Sequence, residues 1–201
     1  MMNRRCRVLL DCDGILADFV SRWLSIINAC GVRVSEAEIT SWDIFEAIKP
    51  RFSSEEAFRN ARRVCTVATG SEGFHNDLLP YADAVDGVAR VSELADVHIV
   101  TSPWNGPFWC HERDAWIEDH FGISRKRVTH TAAKYICVGD VLVDDKLENL
   151  TEWKEHHPNG AALLWHRPWN ASAEIPRGVN VVRDWIGVET IVRALTATRA
   201  A

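Results

Sequence analysis

The side chains that could do chemistry together are carboxylates, hydroxyls and one ammonium, and each lies at or near a short apolar run. They are Asp11, Asp13, Thr101, Ser102, Lys134, Asp144 and Asp145. Crowded carboxylates repel one another and raise each other's pKa unless a cation joins them. An all-oxygen set without histidine or cysteine suits Mg²⁺. A site that combines Mg²⁺, an ammonium and hydroxyl donors suits a phosphoryl group.

Two-step transfer of a phosphoryl group is the chemistry that such a set supports. A carboxylate that faces the phosphorus can attack it and form an aspartyl-phosphate. A second carboxylate, two residues further along, can protonate the leaving oxygen and later take a proton from water.

Alternating strand and helix patterns predict the elements that must bring these side chains together. Short apolar runs predict strands at 7–11, 97–101, 128–131, 135–138, 141–143 and 161–165. Apolar residues at helical spacing predict helices at 15–29, 82–94, 108–121, 147–156 and 186–195. This alternation predicts the α/β class, with a Rossmann-like parallel sheet flanked by helices.

The stretch from 15 to 80 interrupts the alternation directly after the first strand. It contains helical patterns broken by Pro50, Gly70 and Gly73, and no strand pattern. Ligands of open parallel sheets bind outside the carboxyl ends of the strands. We therefore predict a core of residues 1–14 and 81–201, with a small helical cap of residues 15–80 inserted over the binding edge.

Several motifs resemble those of the haloacid dehalogenase (HAD) superfamily of phosphatases. The segment from Leu10 to Phe19 resembles its first motif, Val100 to Pro103 its second, Lys134 its third and Val143 to Lys146 its fourth. The order and spacing fit, and these motifs with the tail Arg167-Pro168-Trp169-Asn170 are similar to the 5′(3′)-deoxyribonucleotidase branch. The resemblance covers nearly the whole chain and is weakest between about residues 30 and 75.

The resemblance implies a role for each matching residue. Asp11 would be the nucleophile and Asp13 the general acid and base. Mg²⁺ would be held by Asp11, the backbone carbonyl of Asp13, and Asp145, with Asp144 or Asp140 behind them. Without the resemblance, the residues do not decide whether Asp144 or Asp145 contacts the metal directly. The phosphate would be bound by Thr101, Ser102 and Lys134.

Aromatic residues are the candidates for contact with the rest of the substrate. Phe19 matches the aromatic residue of the family that contacts the nucleoside. Trp42 and Phe45 lie in an irregular part of the cap, where they either stack on a nucleobase or simply pack. Of the nine tryptophans, Trp42 and Trp104 remain as candidates for ligand contact, whereas Trp23 is predicted to lie in the core.

Composition and charge exclude several classes of protein. The chain of 201 residues has 47% apolar residues and a formal charge of −5, which argues against a disordered chain and against a binder of nucleic-acid polymers. No apolar run is long enough to span a bilayer or to form a signal peptide. The six scattered cysteines form no C-x-x-C pair and predict a reduced, cytoplasmic protein.

The prediction is therefore a Mg²⁺-dependent phosphatase that hydrolyses (deoxy)nucleoside monophosphates through a phosphorylated Asp11. Its partner is a small phosphomonoester; no feature predicts an oligomeric state. Two alternatives remain open. One is a HAD phosphatase for a sugar phosphate or another small metabolite. The other is a non-catalytic HAD-like protein that binds a nucleotide or a partner, which the presence of both Asp11 and Asp13 argues against.

Overall fold

A six-stranded sheet forms the centre of the structure, a computed structural model that describes residues 4–200. The strands are β1 Arg7–Leu10, β2 Asp96–Thr101, β3 Val128–His130, β4 Val141–Asp144, β5 Ala161–Trp165 and β6 Val179–Val182. Their order across the sheet is β3-β2-β1-β4-β5-β6, and every neighbouring pair is parallel. The predicted Rossmann-like α/β class is confirmed.

Helices cover both faces of this sheet and also form the block that follows its first strand. They are α1 Phe19–Asn28, α2 Ile44–Ile48, α3 Glu55–Thr69, α4 Ala84–Leu94, α5 Trp109–Phe121, α6 Leu147–His156 and α7 Trp185–Ala200. Successive residues of β1 point to opposite faces: Leu10 joins the apolar cluster that includes α4, α5 and α7, and Leu9 joins the cluster that includes α6. No helix within residues 4–200 combines the length and apolar character needed to cross a membrane.

The first strand is followed by a purely helical block. Helices α1, α2 and α3, with short 3-10 turns, account for the regular elements between β1 and α4. The two connections to this block run side by side, because Ala17 forms an antiparallel bridge with Pro80 and Tyr81 donates its backbone N–H to Leu16. This pairing lies at the predicted boundaries of the cap, although the division at 15 and 80 itself stays a prediction.

Three details of the predicted elements differ from the structure. Residues 135–138 were expected to form a strand, but the chain makes a 3-10 turn over Lys134–Ile136. The edge strand β6 was not expected, because its four residues include the polar Asn180 and two exposed positions. Helix α1 begins at Phe19 rather than at 15, since Gly14 turns the chain with a φ of 77° and Asp18 caps the helix.

The register of the sheet places the acidic residues together. Leu10 of β1 pairs with Val143 of β4 and with Ile99 of β2. The residues that follow these strands therefore emerge side by side at one edge, at the centre of the sheet.

Candidate active site

Asp11 is the central residue of this edge. Its carboxylate accepts hydrogen bonds from the backbone N–H of Cys12 at 2.7 Å and from Lys134 Nζ at 2.8 Å. Burial, opposed by the attraction of Lys134 and assisted by the negative charges of Asp144 and Asp13, raises the pKa of Asp11 to about 7. The site therefore holds more negative charge than its one lysine balances.

Lys134 joins Asp11 to Asp144. Its buried ammonium lies 2.7 Å from Asp144 Oδ2 as well as 2.8 Å from Asp11 Oδ1. Burial disfavours the charged ammonium, but the two carboxylates outweigh burial and raise the pKa of Lys134. The lysine is therefore charged, and its position is fixed by two ion pairs.

Asp144 and Asp145 have different surroundings although they are adjacent. Asp144 accepts from Lys134, from the backbone N–H of Lys146 and from Asn149 Nδ2, so both of its oxygens are engaged. For the Asp145 carboxylate the structure gives one bond, from Trp169 Nε1 to Oδ2 at 2.9 Å. Burial, followed by the charges of Asp11 and Asp144, raises the pKa of Asp145 well above its usual value.

The three carboxylates form a fitting site for a divalent cation. One oxygen each from Asp11, Asp144 and Asp145 lies within 4.8 Å of the others, and all three residues are buried. Hard oxygen donors of this kind suit Mg²⁺. Because Asp144 is occupied by its three donors, Asp145 has the more available carboxylate, which agrees with the expectation for the direct ligand.

Gly14 is required by the approach of Asp145. A Cβ atom at position 14 would lie 2.1 Å from Asp145 Oδ2, and the positive φ of Gly14 also disfavours any other residue. The glycine therefore allows the chain to turn directly against a metal-ligand candidate.

Asp13 lies in the same cavity wall as Asp11 but has another partner. Its two oxygens accept from Arg113 Nη1 at 2.8 Å and Arg113 Nη2 at 3.2 Å. The Asp13 side chain is one-quarter exposed, whereas the Arg113 side chain is fully buried within α5. One carboxylate of the pair is thus held by a lysine and the other by an arginine.

Thr101 and Ser102 differ in exposure. Thr101 ends β2 and is fully buried, and its Oγ1 has no hydrogen-bond partner among residues 4–200. Ser102 is exposed and lines the cavity that contains Asp11 and Lys134, a cavity whose wall does not include Thr101. An unpartnered buried hydroxyl beside an acidic, lysine-containing pocket is a donor that a bound anion could use.

Two cavities of about 340 Å³ each meet above the carboxylates. One includes the candidate catalytic residues and the other is mostly aromatic. The residues shared by both walls are Phe19, Trp42, Ile44, Trp104 and Lys146.

The predicted aromatic residues have different environments. Trp42 is 43% exposed, and the ammonium of Lys146 lies 5.1 Å from its ring centre. Phe45 lines only the aromatic cavity and packs edge-on against Trp23, at 4.6 Å between ring centres. Trp23 is buried, as predicted, although its edge also borders the aromatic cavity. The structure thus brings Trp42 and Trp104 to the cavities and gives Phe45 a packing role as well.

Three residues of the site were missed by the sequence analysis. Trp169 and Asn170 bind the side chain and the backbone carbonyl of Asp145, respectively. They follow β5 closely, so the same inspection of strand ends could have identified them. Arg113 occupies an apolar-spaced position of α5 between Trp109 and Trp116, and a charged residue in such a stripe is the signal that was available.

The position expected for Asp140 was wrong. It was expected, as an alternative to Asp144, behind the metal ligands, but it precedes β4 and accepts from the backbone N–H of Arg7 at the start of β1. It therefore lies at the opposite edge of the sheet, where it also binds Arg4.

Comparisons with known proteins agree with this architecture. The family model described as 5′ nucleotidase, deoxy (pyrimidine), cytosolic type C protein matches residues 4–198. The chain is 34% identical over 193 residues to the human cytosolic-type 5′(3′)-deoxyribonucleotidase, covering 92% of this chain and 91% of that one. It is 25% identical over 169 residues to the 5′(3′)-deoxyribonucleotidase of Bacillus subtilis, covering 81% and 86%.

A solved haloacid dehalogenase-like hydrolase from Burkholderia xenovorans superimposes with a TM-score of 0.59 at 15% identity. The match covers 96% of this chain and 99% of that one, and it shows the shared fold. Together with the family match, these findings lead to one conclusion: the chain belongs to the cytosolic type C 5′ nucleotidase family and is a phosphomonoester hydrolase with a HAD fold.

Proposed function

We propose that this protein hydrolyses (deoxy)nucleoside monophosphates with the help of Mg²⁺, through a phosphorylated Asp11. Family membership supports the reaction class, and the relatives described as 5′(3′)-deoxyribonucleotidases support the substrate class. The observation that carries the proposal is the continuity of the acidic cavity with the aromatic one.

A two-ended cleft suits a two-ended substrate. Asp11, Lys134 and Ser102 line one end, where a phosphate would be held by charge and hydroxyl donors. Phe19, Trp42 and Phe45 line the other, where a planar base can stack on aromatic faces. A sugar phosphate lacks a planar ring system to fill this second end, so the aromatic wall favours a nucleotide.

The mechanism gives the phosphoryl transfer to Asp11 and the proton transfers to Asp13. An Asp11 oxygen attacks the phosphorus while the bond to the nucleoside oxygen breaks. Asp13 begins this step as the carboxylic acid, protonated on a lone pair that Arg113 does not use, and gives its proton to that oxygen. Water then attacks the phosphorus of phospho-Asp11, Asp13 takes a proton from that water, and the bond to Asp11 breaks. Ser102 and Lys134, which line the acidic cavity, hold the phosphate oxygens through both steps.

The metal ligands of the proposal are Asp11, the backbone carbonyl of Asp13, and Asp145. When bound there, Mg²⁺ would offset the charge of the carboxylates and of the phosphate and so allow one anion to approach another. The bond from Trp169 and the close fit of Gly14 keep the Asp145 carboxylate in place for this role.

A phosphate-release screen tests the proposed substrate class. Purified protein would be assayed with Mg²⁺ against matched panels of deoxynucleoside monophosphates, ribonucleoside monophosphates and sugar phosphates. The proposal expects nucleotides to give the highest kcat/KM, no release with EDTA, and no release by Asp11→Asn. Higher kcat/KM for sugar phosphates would favour the small-metabolite alternative. Nucleotide binding without any turnover would favour the non-catalytic alternative.

A cytoplasmic location is also part of the proposal. The human relative that is 34% identical is described as the cytosolic type, while a mouse relative that is 31% identical is described as mitochondrial. Fractionation that places the chain with the cytosol would support the proposal, and recovery inside an organelle would contradict it.

A further inference from the structure

Arg113 is a fully buried arginine behind one of the catalytic carboxylates. Its guanidinium donates to both oxygens of Asp13, at 2.8 and 3.2 Å, and Nη1 also lies 2.8 Å from Cys12 Sγ. Asp13 lines the acidic cavity, whereas Arg113 is not among the described residues that line it. The arginine thus reaches the catalytic loop from the protein side, away from the substrate.

Its own helix holds this guanidinium in place. The guanidinium carbon lies 4.7 Å from the ring centre of Trp109 and 5.9 Å from that of Trp116, one turn before and one turn after it on α5. Both tryptophans are buried. Because the guanidinium is enclosed by aromatic rings and fully desolvated, it has little freedom to follow a moving carboxylate.

The same turn of α5 also holds the chain that returns from the cap. Glu112 accepts from the backbone N–H of Gly73 at 2.6 Å and lies 3.1 Å from His75 Nδ1. The His75 ring in turn packs against Trp109, at 4.6 Å between ring centres. The helix that carries Arg113 is therefore fixed to the cap connection by Glu112 and Trp109.

We propose that Arg113 is the positioning residue for Asp13. Two N–H donors in one plane define the direction of the carboxylate that must reach the leaving oxygen and then the attacking water. A lysine would hold only one oxygen and would leave that direction free. This inference rests on the proposed role of Asp13, and it assigns to Arg113 no contact with the substrate.

A double-mutant cycle tests the proposal. Arg113→Met, Asp13→Asn and the double variant would be compared by kcat and KM with the best nucleotide substrate. We expect Arg113→Met to lower kcat by about 10- to 100-fold with little change in KM, because only proton transfer loses its geometry. In the Asp13→Asn background, the same change should lower kcat by less than about threefold, since no acid remains to be positioned.

Leaving-group dependence gives a second readout. In a series of aryl phosphates, the loss of kcat/KM in Arg113→Met should grow as the leaving phenol becomes more basic and needs a proton more. Arg113→Lys, which keeps the buried charge, should recover folding and part of kcat. If Arg113→Met does not fold, Arg113→Lys replaces it in the double-mutant cycle with Asp13→Asn.

The matched control is Arg90→Met, which removes a half-exposed arginine bound to Glu189 between α4 and α7. We expect its kcat to equal that of the wild type. Equal losses from the Arg113 change in both Asp13 backgrounds, or a loss independent of the leaving group, would overturn the positioning role. Normal turnover by Asp11→Asn would instead refute the proposed function, so the two failures are distinguishable.

Discussion

Lys134 Nζ lies 2.8 Å from Asp11 Oδ1, and this ion pair places a buried positive charge directly beside the candidate nucleophile. The same ammonium lies 2.7 Å from Asp144 Oδ2, so the residue expected to bind phosphate also forms ion pairs with two neighbouring carboxylates. We therefore expect the lysine to contribute to the stability of this edge as well as to the proposed phosphate binding.

Replacing Lys134 should destabilise the protein. Lys134→Met leaves Asp11 and Asp144 buried without their shared cation, and breaking such a pair costs about 3–5 kcal/mol. Urea unfolding in EDTA would measure the free energy of unfolding, with Lys126→Met, an exposed lysine, as the control. A change below about 1 kcal/mol would mean that the ion pairs contribute little.

The stability of the metal-free protein should fall as the pH rises from about 4 to 7. Burial raises the pKa of Asp11 from its ordinary value of 3.8 in the unfolded chain to about 7 in the folded state. Between these two pKa values the folded state binds more protons than the unfolded state. The stability that protonated Asp11 contributes is therefore fully present below the unfolded pKa and is lost as the pH rises through the folded pKa. The difference between wild type and Asp11→Asn, followed by urea unfolding in EDTA, should show this decline. A difference that is constant with pH would contradict it.

Asp144→Asn and Asp145→Asn should weaken Mg²⁺ binding to different extents. Asp145→Asn removes the proposed direct ligand, whereas Asp144→Asn disturbs the lysine behind the site. Calorimetric titration with Mg²⁺ should show a loss of about 10- to 100-fold in affinity for Asp144→Asn, as for other supporting residues. The loss for Asp145→Asn should be larger, and the reverse ranking would exchange their roles.

Gly14→Ala should disrupt the metal site through a steric clash. The new Cβ would lie 2.1 Å from Asp145 Oδ2, at a positive φ. Gly31→Ala is the matched control, because its φ is 93° but no atom lies within 4 Å of the added Cβ. Both variants should lose about 1–2 kcal/mol through backbone strain, and only Gly14→Ala should also lose Mg²⁺ affinity. Unchanged affinity in Gly14→Ala would contradict the close fit.

Trp42→Ala and Phe45→Ala should differ in their effect on the stability of the protein. Trp42 is exposed, so Trp42→Ala should leave stability unchanged while the KM for a nucleotide rises roughly 5- to 150-fold through the loss of about 1–3 kcal/mol of stacking. Phe45→Ala should instead lower the free energy of unfolding by about 3 kcal/mol, because Phe45 packs on Trp23. Unchanged nucleotide kinetics in Trp42→Ala would exclude Trp42 from base binding.

Much of this arrangement follows from strand ends that can be recognised in the sequence. Asp11 and Asp145 follow apolar runs that the pattern predicts to be strands, so their common edge was predictable. The role of Arg113 was not, because it depends on which helix packs against the first loop. Asp140 was misplaced because its distance from Asp145 along β4 puts it at the opposite edge.

The central claim is that Asp11 carries the phosphoryl group, and covalent trapping tests it most directly. Wild-type protein would be mixed with substrate and Mg²⁺, quenched in acid and treated with borohydride, which reduces an acyl-phosphate to an alcohol. Peptide mass spectrometry should find the reduced residue at position 11, and find none in Asp11→Asn. Turnover with no modified residue, or with the modification at another carboxylate such as Asp145, would contradict the account.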